Sequence, residues 1–181
     1  MARIVCVPHP VLRQITKPVE RVDKKLLDLI EDMTQTLLSA KDPEGVGLAA
    51  PQVGEPLKLF LARPDLKKPP LLFINPEITQ YSQRLQQPNA KNGVYEGCLS
   101  IPNHYSPIKR SQSVTVKYQD IDMTQPEPQL VEKTGVFTGF LAHIIQHETD
   151  HLNGILFVDH VLTQHSKLYL IKGEVYEEVT I

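Results

Sequence analysis

The residues best suited to do chemistry lie in the segment His147-Glu148-Thr149-Asp150-His151, an H-E-x-x-H pattern. On an α-helix, positions i and i+4 lie one turn apart on the same face, so both imidazoles can reach one metal ion. Glu148 can then exchange protons with a water molecule on that ion. The pattern is short enough to arise by chance with ordinary surface or core histidines, so alone it supports a metal site and a structural role about equally.

The sequence around this pattern predicts the helix that a metal site requires. Thr138 is a candidate N-cap before Gly139, and Asn153-Gly154 is a typical helix end. Spacings of four, three and four residues place one stripe on this helix, made of Phe140, Ile144, His147 and His151. Two histidines leave a tetrahedral metal ion incompletely coordinated, so another part of the chain must supply a third ligand.

The composition is that of an ordinary globular protein, and we expect a single domain over residues 1–181. A formal net charge of -2 argues against a broad surface for nucleic acid or anionic membranes. No apolar run approaches the roughly 18 residues that cross a bilayer, and the N-terminal apolar run is too short for a signal peptide. Cys6 and Cys98 offer no disulfide framework, which favours a reducing compartment such as the cytosol.

Hydrophobic periodicity predicts a further helix and several strands. Asp23 begins an amphipathic helix that ends at Asp42-Pro43. Apolar or alternating runs predict strands at residues 57–62, 71–74, 114–118, 130–137, 168–171 and 175–181, and a strand or extended arm at 3–7. Residues 63–70 and 79–93 read as loops, and the short apolar run 155–158 precedes a polar connection.

A second segment rich in small residues runs Gly45-Val46-Gly47-Leu48-Ala49-Ala50-Pro51-Gln52. Small side chains leave the backbone open to close approach, which fits a plain turn or a phosphate loop, although no G-x-x-x-x-G-K-[ST] pattern is present. The primary amide of Gln52 could donate a hydrogen bond to a carbonyl oxygen.

The third segment is Glu96-Gly97-Cys98-Leu99-Ser100. Cys98 could be a buried apolar residue, a metal ligand or a nucleophile. A nucleophile needs a histidine base, for which His104 and His143 are candidates. As a ligand, one thiolate beside two neutral histidines would leave a fourth position open, which a catalytic metal site requires.

These three segments, in this order, resemble the three motifs of the peptide deformylase family. The resemblance extends to Pro10-Val11-Leu12-Arg13 and Asn75-Pro76, so that it spans roughly residues 8–160. It implies an α+β fold in which antiparallel or mixed β-sheets surround a central metal-binding helix. It also implies a metal-dependent hydrolase that removes the N-formyl group from the N-terminal formyl-methionine of newly synthesised polypeptides and releases formate.

The resemblance further implies roles for individual residues. The metal ligands would be Cys98, His147 and His151, with Fe²⁺ the usual ion and Zn²⁺, Ni²⁺ or Co²⁺ able to replace it. Water on the metal would attack the formyl carbon with Glu148 as general base and then acid, while the Gln52 amide and the Leu99 backbone N–H stabilise the oxyanion. Substrate contacts are expected from Gly45, Val46, Gly47, Phe140, His143 and Ile144.

The chain departs from the family pattern at a few positions. Tyr105 lies near the place where many members carry an arginine that contacts the substrate backbone, and His143 replaces an apolar or basic residue. Thr149 stands in place of an apolar residue, and the tail predicts strands where many bacterial members have a long helix. Asp150 is expected to support the site without taking part in the chemistry.

The expected partners are nascent polypeptides that begin with formyl-methionine, with the ribosome as a further candidate. The expected location is the cytoplasm or an organelle of bacterial origin. Two other functions fit parts of the sequence: an H-E-x-x-H metallopeptidase with an unrelated third ligand, and an inactive homologue that binds metal or peptide.

Overall fold

The computed structural model describes residues 1–41, 44–89, 93–173 and 175–179, and these form an α+β fold. The helices are α1 (Lys24–Ser39), α2 (Gly139–Leu152) and α3 (Phe157–Gln164). The strands are β1 (Gly47–Ala49), β2 (Leu59–Ala62), β3 (Leu71–Tyr81), β4 (Glu96–Cys98), β5 (Ile101–Ser106), β6 (Ser113–Asp122), β7 (Gln129–Thr138), β8 (Leu168–Lys172) and β9 (Val175–Val179). Short 3₁₀ turns cover Pro10–Arg13 and Ala50–Val53.

The larger sheet has the strand order β1-β2-β3-β6-β7, and each neighbouring pair is antiparallel. Strand β2 shows how its two faces are used, because successive side chains of a strand point to opposite faces. Leu59 and Leu61 pack with the apolar face of α1, whereas Phe60 and Ala62 pack with that of α2. A sheet covered by helices on both faces needs apolar residues at every position of its central strands, as β2 has.

Helix α1 begins where the sequence predicts. The Asp23 carboxylate accepts a hydrogen bond from the backbone N–H of Leu26 at 2.9 Å, which satisfies a donor that the first turn would otherwise leave free. Its buried face holds Leu26, Met33 and Leu37. The predicted helix end at Asp42-Pro43 lies outside the described residues.

Helix α2 also has the predicted boundaries, since it begins after Thr138 and ends before Asn153. Gly154 follows with φ +71°, a left-handed conformation that favours glycine. A Cβ at Gly154 would also meet the carbonyl oxygen of Arg13 at 2.6 Å, so the chain turns there against its own N-terminal segment. Helix α2 packs on β1, β2, β6 and β7 and is largely buried, which confirms the expected central helix.

The smaller sheet has the order β4-β5-β8-β9, again with antiparallel neighbours. One of its faces closes a second core with α3 and the N-terminal 3₁₀ turn, made of Val11, Leu12, Cys98, Ile101, Ile108, Leu156, Phe157, Val161 and Leu168. Cys98 is thus anchored in a packed layer rather than in a loop.

Two of the predicted segments differ in the structure. Strand β3 continues past Asn75-Pro76 to Tyr81. Proline has no backbone N–H to donate to the neighbouring strand, and a register shift between Ile74 and Glu77 accommodates it. The expected polar connection after residue 158 is helix α3, which buries Phe157 and Val161 one turn apart. Part of the predicted loop at 79–93 and of the strand at 175–181 lies outside the described residues.

Residues 3–7 form an extended arm rather than a strand of either sheet. The N–H of Val5 donates to the Gln52 carbonyl at 2.8 Å, and that of Val7 donates to the Ser100 carbonyl at 3.1 Å. The arm therefore ties together the two segments that carry Gln52 and Cys98. In the part of the chain that the structure describes, no helix combines the length and the apolar character of a membrane span.

Candidate metal centre and active site

The three predicted ligands meet in one place. Cys98 ends β4, while His147 and His151 lie one turn apart on α2, and all three are buried. Their ligand atoms lie within 4.8 Å of one another, and the Cys98 Sγ is 3.2 Å from the His151 Nε2. Burial lowers the pKa of His151 well below its ordinary value. His151 is therefore in the neutral form that can bind a metal ion.

Glu96 orients the first histidine. The Glu96 Oε1 accepts a hydrogen bond from the His147 Nδ1 at 2.7 Å, which leaves the Nε2 of that ring as the ligand atom. Burial raises the pKa of the Glu96 carboxyl, but the Arg110 guanidinium and the neighbouring histidines together lower it by more, so the net pKa lies well below the usual range. The charged carboxylate therefore acts as a fixed acceptor behind His147.

Arg110 joins this carboxylate to the other side of α2. Its guanidinium donates two hydrogen bonds to Glu96, at 2.9 and 2.6 Å, and one to Asp150 at 2.6 Å. Asp150 also accepts from the His160 Nε2 at 2.8 Å, which brings α3 into the network. Asp150 thus supports the site from behind, in the position expected for a residue outside the chemistry.

His143 lies one turn before His147 and is held between two acceptors. Its Nε2 is 3.1 Å from the Glu96 Oε2, and its Nδ1 is 3.2 Å from the Gln86 Oε1. The Gln86 Nε2 donates to two backbone carbonyls, which fixes the orientation of the amide. His143 therefore has a defined position at the wall of the cleft, and Glu96 and Gln86 rather than the Cys98 thiol are its hydrogen-bond partners.

Glu148 directly follows the ligand His147 on α2. It is fully buried, and burial raises the pKa of its carboxyl to about 7. Its Oε2 has no hydrogen-bond partner among the described residues. Gly47 of β1 faces its other oxygen so closely that a Cβ on Gly47 would lie 2.1 Å from the Glu148 Oε1. Glycine at position 47 is what lets the carboxylate occupy this place.

Gln52 is positioned by a local turn. It belongs to the 3₁₀ turn Ala50–Val53, which Pro51 favours through its fixed φ. The Gln52 Oε1 accepts from the backbone N–H of Ala49 at 2.8 Å, so its Nε2 faces the opposite way. The Nε2 lies 3.5 Å from the Cys98 Sγ and 3.2 Å from the Ser100 Oγ. The amide donor is therefore directed at the metal ligands, as an oxyanion donor would need to be.

A cleft with about 650 Å³ of empty space opens beside these groups. It runs between β1 and β4, each of which is the outermost strand of its sheet. Most of the predicted substrate contacts line it, namely Val46, Gly47, Phe140, His143 and Ile144, and so does the predicted oxyanion donor Leu99. Gly45 has a different environment, because a Cβ there would meet the Leu37 carbonyl oxygen of α1 at 2.4 Å. Its small size is thus required by packing against α1.

The donor set fits a divalent metal ion. One thiolate and two imidazole nitrogens are the ligands that Zn²⁺ and Fe²⁺ accept, and three protein ligands leave room for water or substrate. The alternative in which Cys98 is a nucleophile required His104 or His143 as its base. The His104 ring instead lies 2.8 Å from the Pro102 carbonyl oxygen, and His143 bonds to Gln86 and Glu96. A buried Cys-His-His site with an adjacent carboxylate in an open cleft defines a mononuclear metallohydrolase.

Comparison with known proteins identifies the family within this class of metallohydrolases. The family model described as polypeptide deformylase matches residues 1–167. A peptide deformylase of Mesorhizobium japonicum is 44% identical over 161 residues, which cover 87% of this chain and 82% of the relative. One from Brucella suis is 42% identical, with coverage of 87% and 83%. The chain belongs to the polypeptide deformylase family.

Solved structures agree with this assignment. A peptide deformylase from Synechococcus elongatus in complex with actinonin has a TM-score of 0.74 at 41% identity, with coverage of 88% of this chain and 79% of that one. The enzyme from Thermotoga maritima has a TM-score of 0.71 at 40% identity, with coverage of 88% and 96%.

The sequence analysis missed the role of Glu96 and Arg110. Glu96 stands in the segment that was singled out for Cys98, and a metal-binding histidine regularly needs a carboxylate or carbonyl on its second nitrogen. That rule could have assigned Glu96 to His147. Arg110 carries no such signal, because nothing near it in the sequence marks it as the partner of residues 14 and 40 positions away.

Proposed function

We propose that this enzyme removes the formyl group from the N-terminal formyl-methionine of newly made polypeptides by hydrolysis, with release of formate. The observation that carries the proposal is the convergence of Cys98, His147 and His151 with Glu148 and Gln52 at one cleft. A metal ion held by the first three would polarise the formyl oxygen and make a water molecule acidic near neutral pH. We infer Fe²⁺ as the native ion, with Zn²⁺, Ni²⁺ and Co²⁺ as substitutes that share these ligands.

In the proposed reaction Glu148 moves the proton. Its carboxylate takes a proton from the attacking water and delivers it to the amine nitrogen as the C–N bond breaks, so the products are formate and a free amino terminus. The pKa of about 7 that burial gives this group suits a base that must later act as an acid. A divalent cation nearby would favour its ionised form and so keep it a base at neutral pH.

Gln52 and Leu99 stabilise the negative charge that develops on the formyl oxygen. Attack on the formyl carbon places charge on its oxygen, and the Gln52 Nε2 and the Leu99 backbone N–H are the donors we assign to it. The loss of one such donor typically costs roughly 3–4 kcal/mol of barrier. Because Ala49 and Ser100 hold the Gln52 amide in place, its reorientation during the reaction would be small.

The cleft accounts for the proposed substrate. A peptide in extended form can hydrogen-bond to the free edges of β1 and β4, and Gly47 leaves the backbone of β1 accessible. We assign the methionine side chain to the part of the cleft walled by Val46, Phe140, His143 and Ile144. Phe140 is 37% exposed and Ile144 is buried, so this wall offers apolar surface to a flexible thioether.

We further propose that residues 1–181 act as one catalytic domain on nascent polypeptides, with the ribosome as a candidate partner. The proposed location is the cytoplasm or an organelle of bacterial origin, since formyl-methionine is the substrate only where translation begins with it.

The test is formate release from formyl-Met-Ala-Ser by protein loaded with Fe²⁺ or Ni²⁺ without oxygen. Glu148→Gln should lower kcat by at least about 100-fold, because it removes the general base. Glu31→Gln, on the exposed face of α1, is the matched control and should leave kcat unchanged. Activity that survives in Glu148→Gln would overturn the proposed mechanism.

The same assay separates the alternatives. A metallopeptidase with another third ligand would cleave unformylated Met-Ala-Ser and keep its metal in Cys98→Ala. An inactive homologue would bind formyl-Met-Ala-Ser without releasing formate at any metal loading.

A further inference from the structure

The smaller sheet carries a row of aromatic residues across one face. Residues directly opposite each other in an antiparallel sheet place their side chains on the same face, as do residues two apart on one strand. Gly97 pairs with Tyr105, Tyr105 with Tyr169, and Ile171 with Tyr176, so these residues share one face from β4 to β9. Tyr95, two positions before Gly97, joins them and stacks on Tyr169 with ring centroids 5.9 Å apart. We call this set the tyrosine face.

The tyrosine face is open to solvent, whereas the opposite face of the sheet is packed at the Leu168–Val179 end. Leu168 and Val179 on the opposite face contact the second core. On the tyrosine face, Tyr176 is 61% and Tyr95 36% exposed, and a hollow runs along Tyr95, Tyr105, Tyr169, Ile171 and Tyr176. Exposed apolar side chains that line a groove are typical of a site that binds a ligand or another polypeptide.

This face is continuous with the active-site cleft. Tyr95 and Tyr105 line both the cleft and the hollow. The Tyr105 ring lies over Gly97, where a Cβ would be 2.5 Å from it, and Gly97 directly precedes the ligand Cys98. A chain that leaves the cleft along β4 therefore passes directly onto the tyrosine face. Glu178, opposite Tyr169 on the same face, is held in an ion pair with Lys167.

The dimensions suit a short peptide segment. Neighbouring strands are about 4.8 Å apart, so the face from β4 to β9 spans roughly 14 Å, which about four residues of an extended peptide would cover. The β8–β9 hairpin that supplies half of this face begins at Leu168, just beyond residues 1–167 that match the family model. Half of the face is therefore built from a part of the chain that the family model does not include.

We propose that the tyrosine face binds the segment of the substrate polypeptide that follows formyl-methionine, at about the third to sixth residue, and prefers apolar and aromatic side chains there. This proposal rests on the proposed function, because it takes the cleft as the place where the formylated end is held. Tyrosine offers a large, rigid contact surface with few rotatable bonds, so such a segment can bind without a matching sequence.

The test compares peptides of two lengths. The pair is formyl-Met-Ala and formyl-Met-Ala-Ser-Leu-Phe-Ala, and binding is measured by calorimetry on metal-loaded Glu148→Gln protein, which binds without turnover. We expect the hexapeptide to bind at least about tenfold more tightly than the dipeptide, and Tyr176→Ser to remove most of that gain. Dipeptide binding should stay unchanged in Tyr176→Ser.

Val175→Ser is the matched control. Val175 is adjacent in β9 and 64% exposed, but its side chain points to the opposite face. The Val175→Ser substitution should leave the affinity for both peptides unchanged. Equal affinity for the two peptides, or an equal loss in Tyr176→Ser and Val175→Ser, would overturn the proposal. Failure of the enzyme to deformylate the dipeptide would instead count against the proposed function, so the two failures can be told apart.

Discussion

At the scale of single residues, the spacing between β1 and α2 depends on one missing side chain. Gly47 lies against both Glu148 and Ile144, and a Cβ there would lie 2.1 Å from the carboxylate oxygen and 3.0 Å from the Ile144 Cγ2. Neither neighbour can yield easily, since both are on the rigid helix α2 and almost fully buried. The glycine of the first motif is thus required by the glutamate of the third.

Gly47→Ala should therefore act mainly on the chemistry. We expect the displaced Glu148 to lower kcat by about 100-fold, the typical cost of a misplacement near 1 Å. Metal content should remain at the wild-type level, because the alanine touches none of the three ligands. Steady-state kinetics and metal analysis on the same preparation check this, and a kcat within twofold of wild type would contradict it.

The role of Glu96 depends on the charge of its carboxylate. Glu96→Gln keeps the shape of the side chain but loses the ionised acceptor that orients His147 and pairs with Arg110. We expect metal affinity to fall by 10–100-fold, as is typical when the acceptor behind a ligand is lost. Competition with a chromophoric chelator measures it.

Asp150→Asn is the control for this change. It also weakens the contacts of Arg110, but Asp150 accepts hydrogen bonds from Arg110 and His160 and from neither ligand histidine. Its metal affinity should change less than that of Glu96→Gln. Equal losses in the two variants would mean that the network acts as a whole and that Glu96 has no separate role.

At this scale the sequence predicts the ligands better than their surroundings. His147, His151 and Glu148 share one helical turn, and local spacing is visible in a sequence. The partners of these residues come from afar: Glu96 is 51 positions from His147, and Gln52 is 46 positions from Cys98. Such contacts depend on the sheet topology, which local patterns do not specify. Residue chemistry marked Gln52 and Cys98 as candidates and resemblance to a family fixed their roles, whereas Glu96 received no role.

At the scale of elements, helix α3 shows why a polar segment can be helical. Its sequence predicts a polar connection, and in the structure only two of its apolar residues, Phe157 and Val161, are buried. Its beginning is set by Asp159, whose carboxylate accepts from the backbone N–H of Leu156 at 2.8 Å and pairs with Arg13. The signal that fixes this helix thus includes a residue 146 positions away, which periodicity cannot reveal.

Asp159→Asn should destabilise the fold in a pH-dependent way. Burial raises the pKa of Asp159, but hydrogen bonds from Arg13 and Leu156 lower it by more, so the net pKa is below its ordinary value. A lowered pKa stabilises the folded state above the unfolded value near 3.9, and this contribution disappears as the pH falls through the folded-state pKa. Urea denaturation should show a loss of about 1 kcal/mol at pH 7 that becomes smaller at pH 3. A loss of the same size at both pH values would contradict this origin.

Two left-handed residues at the ends of elements should respond oppositely to glycine. His165 closes α3 with φ +51° and is exposed, so His165→Gly relieves backbone strain and should raise the free energy of unfolding by up to about 1 kcal/mol. Asn75 has φ +49°, but its amide bonds to both backbone groups of Val19 and to Gln119. Asn75→Gly should therefore destabilise, and thermal unfolding of the pair tests whether the side-chain bonds outweigh the strain.

At the scale of the whole molecule, the metal ligands connect the two sheets. Cys98 belongs to β4 of the smaller sheet, while His147 and His151 lie on the helix that packs against the larger one. The extended arm at residues 3–7 and the network of Arg110 span the same boundary. The sequence predicts strands β2, β3, β6, β7, β8 and β9 but not β1, β4 or β5. The joint between the sheets follows from three residues that meet only in the folded chain.

Removal of the metal should therefore destabilise the whole fold and not only the active site. An ion that binds the folded state alone adds RT ln(1 + [M]/Kd), about 4 kcal/mol at a thousandfold excess over Kd. We expect a chelator to lower the Tm of the metal-loaded enzyme by several degrees, and Cys98→Ala to start from the lower Tm and show no further change with chelator. If the chelator shifted both proteins equally, the stabilising ion would lie elsewhere; if it shifted neither, the Cys98–His147–His151 site would serve catalysis without linking the sheets.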